Sequence, residues 1–127
     1  MHWILKPIAA TVLLGFLTLP AMADTLLGSY IARISQDDHF ASDGYPLDSA
    51  AQMVRQDRAN WHRFGQGDRE DESDRWFKTT QQRSRLQKML EQRGAMDAAT
   101  RRAITNGRPL IQVDVYTSRV QVILLER

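Results

Sequence analysis

The last part of the chain changes its hydrophobic period, and that change constrains the fold more than any other feature. Ile111, Val113 and Val115 alternate with Gln112, Asp114 and Tyr116, and Val120, Val122 and Leu124 alternate with Gln121, Ile123 and Leu125. A period of two sends successive side chains to opposite faces of an extended strand. Two such runs joined by Thr117-Ser118-Arg119 predict a β-hairpin, with its turn type left open because the turn has neither Gly nor Asn-Gly. The second run is apolar on both faces near Ile123 to Leu125. Either the N-terminal strand and a helix cover it, or it meets a partner.

Helical spacing precedes the hairpin. Asp48 or Ser49 can cap a helix, and Gln52, three residues after Ser49, completes a capping box. Ala50, Met53, Val54, Trp61 and Phe64 recur at helical spacing, and Gly65 stops the helix. Thr79 with Gln82 offers a second capping box, for a helix buried along Leu86, Met89 and Leu90 and ending at Gly94. Asp97 caps a shorter helix through Ile104, closed by Asn106-Gly107. Near the start, residues 25–34 are apolar with an ambiguous period, and Tyr30, Ile31 and Ile34 suit a strand. A polar loop with the turn signal Asp43-Gly44 and a charged loop over residues 65–75 connect these pieces. The architecture expected is α+β: two or three helices packed on a small antiparallel sheet with a C-terminal β-hairpin.

The first 23 residues stand apart from this pattern. Lys6 lies in a short n-region, Ile8 to Leu19 is almost wholly apolar, and Pro20 is followed by Ala21-Met22-Ala23. A charged start, an apolar middle and small residues at a cleavage site are the parts of a secretory signal peptide. A spanning helix needs about 20 apolar residues, and this run is shorter. Cleavage before Asp24 would release residues 24–127 as a single domain without a stable membrane anchor, in the periplasm or the medium. The absence of cysteine excludes a lipid-modified N-terminus, disulfides, thiolate metal sites and cysteine nucleophiles. With Lys+Arg 17 against Asp+Glu 15, the balance is too even for nucleic-acid binding.

Within the mature region a few polar residues invite chemistry. Asp57 falls on the apolar stripe of the first helix, a turn away from both Met53 and Trp61. A carboxylate there needs partners, for which Arg55, Arg58 or a loop amide would serve. It reads either as a clamp between that helix and the Asp37–Gly44 loop or as a general base. His39 and His62, with Asp37, Asp38 or Asp57, could form a zinc site or an acid/base pair, although 23 residues separate the histidines. The loop carboxylates Asp68, Asp71 and Asp74 are candidate cation ligands, against the plainer reading of a solvated loop whose Asp74 caps the next turn. Arg83, Arg85, Lys88, Arg93, Arg101 and Arg102 could form a basic face for an anionic envelope component, or a solvated face that complements the acidic loop. No serine elbow, Gly-rich phosphate loop or His-Glu-x-x-His is present, and no cofactor is expected.

The run Gln56-Asp57-Arg58-Ala59-Asn60-Trp61-His62-Arg63-Phe64, preceded by Asp38-His39-Phe40-Ala41-Ser42-Asp43-Gly44, resembles a pattern in small exported proteins of proteobacteria. The resemblance spans about residues 30–90 and singles out Asp57, Arg58, Asn60 and His62. It implies a periplasmic destination and carries no assigned activity. The function expected is a small exported binding or interaction protein, with an envelope protein or an anionic envelope component as partner. The alternative is an envelope enzyme or metal-binding protein using His39, Asp57 and His62.

Overall fold

The computed structural model describes residues 24–127, so the segment expected to be a signal peptide, with its expected cleavage site, lies outside the described residues. Strand β1 (Leu26–Arg33) leads into a short 3-10 turn, Gln36–His39. Helices α1 (Ala50–Phe64), α2 (Thr80–Leu90) and α3 (Ala98–Asn106) follow, and the chain ends in β2 (Leu110–Tyr116) and β3 (Val120–Glu126). The fold is α+β, with three helices against one antiparallel sheet ordered β1-β2-β3.

Local chemistry sets the helix starts. Ser49 accepts a hydrogen bond from the Gln52 N–H, while Gln52 Oε1 accepts from the Ser49 N–H, closing the capping box ahead of α1. Thr79 and Gln82 repeat the arrangement at α2, and Asp97 caps α3 through the Thr100 N–H at 2.7 Å. Each satisfies N–H groups that a helix start leaves without partners. Gly65 ends α1 with φ 62°, a left-handed cap that glycine adopts without steric cost. Helix α2 stops at Leu90 rather than Gly94: Glu91 remains right-handed helical, but the chain then tightens into turns, with Gln92 N–H bonding Met89 O and Ala95 N–H bonding Gln92 O.

The alternating strands put Ile111, Val113, Val115, Val120 and Val122 on the helix side of the sheet, where each is at most 3% exposed. Tyr30 and Ala32 join them from β1, and Val54, Leu86, Leu90 and Ile104 close the core from the helices. Burial of such side chains contributes about 1.5–3 kcal/mol each. The opposite sheet face carries Ile31, Gln112 and Ile123 in register, with Ile123 and Leu125 exposed. The N-terminal strand therefore pairs with β2 and leaves that stretch of β3 uncovered.

The hairpin turn is held from outside. Tyr116 N–H bonds Arg119 O across it, Thr117 N–H bonds Thr25 O, and the Asp24 carboxylate accepts from the Ser118 hydroxyl while pairing with Arg119 at 3.2 Å. A turn without glycine thus gains its order from the first described residues.

Both sheet edges are also occupied. The Ile31 and Arg33 N–H groups of β1 donate to Glu72 Oε1 and Asp71 Oδ1 at 2.8 and 2.7 Å, and Glu72 N–H bonds Ile31 O. On the far edge Val122 N–H bonds Ala95 O at 2.7 Å. The acidic loop is consequently not a solvated excursion; two of its carboxylates take the place of a neighbouring strand.

Candidate functional site

Arg58 is the largest fully buried side chain among the described residues, and a buried cation is where electrostatics is costliest. Its Nε donates to Asp57 Oδ2 at 2.8 Å, and its Nη1 donates to Asp74 Oδ1 and to Glu72 O, both at 2.9 Å. The guanidinium carbon lies 4.1 Å from the centroid of the Tyr30 ring and 5.6 Å from that of Trp61. Asp74 is the second hub. Its Oδ1 also meets His62 Nε2 at 2.6 Å, while Oδ2 accepts from the Trp76 and Phe77 N–H groups. The result is a buried chain Asp57–Arg58–Asp74–His62 joining α1 to the segment before α2.

Asp57 is 2% exposed, as its place on the stripe requires, and Arg58 rather than Arg55 is its partner; Arg55 Nη1 donates to Gln87 Oε1 instead. The clamp, however, ties α1 to residues 72–74 and not to the Asp37–Gly44 loop. That loop is held by another pair: Asn60 Nδ2 donates to Asp38 Oδ1 at 2.8 Å, and Asp38 Oδ2 accepts from Ser35 N–H and hydroxyl. Burial pushes the Asp57 carboxyl well above the usual range, with Arg58 opposing and Asp38 and Asp71 reinforcing. Burial raises Asp38 as well, against the hydrogen bonds from Ser35 and Asn60. Burial also acts upward on Asp74, but the hydrogen bonds from His62, Arg58 and Phe77 outweigh it and hold that carboxyl low. Arg58 Nη2 and the Tyr30 hydroxyl are buried without a described partner.

The histidines do not converge. His39 Nε2 meets Gly107 O at 2.8 Å, which ties the 3-10 turn to the end of α3, whereas His62 belongs to Asp74. Of the expected grouping, Asp57 and His62 share the Arg58–Asp74 network, whereas His39 is bonded elsewhere. Asp68, Asp71 and Asp74 part company too. Asp71 Oδ2 accepts from the Asp68 N–H, its Oδ1 serves β1, and Asp74 is turned to Arg58 and His62. Among the described residues no group of three or more His, Asp or Glu side chains is placed to hold a metal ion. Asp37, Asp38, Asp68 and Asp71 do border one concavity of about 390 Å³ beside Asn60. Asp68 is raised there by burial and by the charges of Asp71, Glu70 and Asp37.

The six bases placed on one face separate as well. Arg83 is only 5% exposed, with Nη1 donating to Phe77 O and Lys78 O. The reason is the helical period: Arg83, Leu86 and Leu90 lie three and seven residues apart, on the buried stripe of α2. Arg85 reaches Thr117 O at 3.0 Å, and Lys88 is exposed. Arg93 and Arg101 border a groove beside the start of α1, and Arg102 borders a different one with Arg108 and Arg127.

Arg83 instead joins two residues not singled out as a site. Arg55, Ala59 and Arg63 repeat every four residues along α1 and, with Arg83 and Gln87 of α2, line a groove of about 390 Å³. The signal was present in the sequence, since that spacing puts the three residues on one helix face. Comparison of the chain with protein-family models, with curated proteins and with solved structures finds no match.

Proposed function

We propose that the mature chain is a small exported binding or interaction protein that works without intrinsic catalysis. One observation carries this reading. The groups best suited to chemistry, Asp57, Arg58, Asp74, His62 and His39, are spent on partners inside the chain, while the grooves between the helices present arginine and amide side chains to solvent. Those groups are consumed in holding the fold, and the carboxylates that do border an open concavity, Asp37, Asp38, Asp68 and Asp71, have no histidine beside them in its lining. Arginine-rich concavities suit an anionic partner instead. The enzyme alternative would have to use the Asp38 and Asp68 carboxyls, raised beside that acidic concavity, in place of a joint His39, Asp57 and His62 site.

Export and the periplasmic destination rest on the arrangement of Lys6, the Ile8–Leu19 apolar run and Ala21-Met22-Ala23, supported by the likeness to small exported proteobacterial proteins. Osmotic-shock fractionation of a bacterium making the full chain should release the protein with Asp24 as its first residue. Retention in the cytoplasm with Met1 intact would overturn export. A thermal-shift screen against calcium, zinc, a chelator and anionic envelope fragments tests the binding reading. Stabilisation by an anionic fragment supports it; stabilisation by metal alone would favour the metal-binding alternative.

A further inference from the structure

The groove between α1 and α2 collects positive charge with little to balance it. Arg55, Arg63 and Arg83 line it, and Asp43 is the one carboxylate among its lining residues. Asp43 is engaged locally, with its Oδ1 accepting from the Tyr45 N–H. None of the three arginines forms an ion pair with a described carboxylate; Arg55 donates to Gln87, Arg63 stacks on Phe64, and Arg83 donates to the Phe77 and Lys78 carbonyls. Burial lowers the Arg83 guanidinium from its ordinary value, and the charges of Arg55 and Arg63 lower it further, with Asp74 only partly opposing. A desolvated cation facing two more cations is an arrangement that folding alone disfavours.

Ala59 stands between Arg55 and Arg63, so the floor of the groove is open where a longer side chain would fill it. Gln52, Gln56 and Thr80 add neutral hydrogen-bonding groups around the rim. Arg55 and Arg63 can offer guanidinium donors to the oxygens of a tetrahedral oxyanion, and Arg83, held on the Phe77 and Lys78 carbonyls and the Thr80 hydroxyl, adds positive charge beneath them. We propose that this groove is a binding site for a phosphate-type oxyanion, held between Arg55 and Arg63 of α1 and Arg83 of α2. The inference rests on the binding-protein reading and names its site and ligand chemistry. The phosphate can be free or belong to a lipid headgroup.

Two probes separate those sources, both used with the full chain as the cell processes it. Inorganic phosphate is titrated calorimetrically at fixed ionic strength against chloride, and phosphatidylglycerol vesicles are compared with phosphatidylcholine vesicles by co-sedimentation. At least one probe should bind the wild type. Arg63→Gln should weaken that binding about tenfold while leaving the melting temperature without ligand unchanged or higher, because it relieves repulsion on Arg83. Arg63→Lys should retain most of the affinity, and Arg102→Gln, in a different arginine-lined cavity, should bind as the wild type does. Binding of neither probe above its control, or equal losses in Arg63→Gln and Arg102→Gln, would overturn the proposal. An exported protein indifferent to both probes loses the groove but keeps the broader reading; a non-exported protein that binds phosphate keeps the groove and loses export.

Discussion

Asp57 and Asp74 sit on the same guanidinium yet shift in opposite directions, because hydrogen bonds outweigh burial only at Asp74. Asp74 accepts four hydrogen bonds and is held low, so its stabilising contribution is present above the ordinary carboxylate value and is lost as pH falls through its folded value. Asp57 has Arg58 as its sole hydrogen-bond partner and is raised, so its contribution is present below the ordinary carboxylate value and declines as pH rises toward its folded value. Asp74→Asn should therefore cost about 3–5 kcal/mol near neutral pH, since it strips a buried cation of its best partner. Asp57→Asn, which leaves Arg58 its bonds to Asp74 and Glu72, should cost about 1–3 kcal/mol. Urea titrations at several pH values would show the Asp74→Asn deficit shrinking below about pH 4 while the Asp57→Asn deficit does not. Of this network, Asp57 was visible in the sequence because a lone carboxylate interrupted an apolar stripe, and Arg58 because it is adjacent. Asp74 lies 16 residues from Arg58. Its burial depends on where a loop folds back, and no local pattern encodes that.

Most of the elements were legible where their signals were local. Both capping boxes, the Asp97 cap, the Gly65 stop and the hairpin all rest on spacings of a few residues, and all appear in the structure. The 3-10 turn was missed although Ser35 and Asp38 form a capping box of the same kind. The end of α2 was placed four residues late because a turn with αR-like residues continues the helical spacing without its hydrogen bonds. The charged loop after α1 was the hardest to read, since its order comes from contacts distant in sequence. A nearer constraint adds to them at Gly67, where a Cβ would overlap the Trp61 ring and approach Asp71 Oδ2 at 3.0 Å. Gly67→Ala should lower stability by about 1–3 kcal/mol in denaturant titrations, whereas the same change at a position with open space would not clash.

At the scale of the whole molecule, linear charge tallies misled where geometry decides. Counting bases along α2 and α3 placed Arg83 with the surface cations, but helical phase buries it and hands it to Arg55 and Arg63. The acidic loop looked like its solvent-exposed counterweight, and instead Asp71 and Glu72 complete the edge of β1. Replacing both, as Asp71→Ala with Glu72→Ala, should leave β1 N–H groups open and produce concentration-dependent association, read as growth in light scattering that the wild type does not show. A cleared β1 edge would let two copies pair edge to edge, while the β3 edge keeps its bond to Ala95. Residues 71 and 72 thus set a boundary as well as a contact. An insertion drifting into that segment over evolution would cost the chain more than a loop; it would remove the acceptors that keep the β1 edge of one molecule from pairing with that of another.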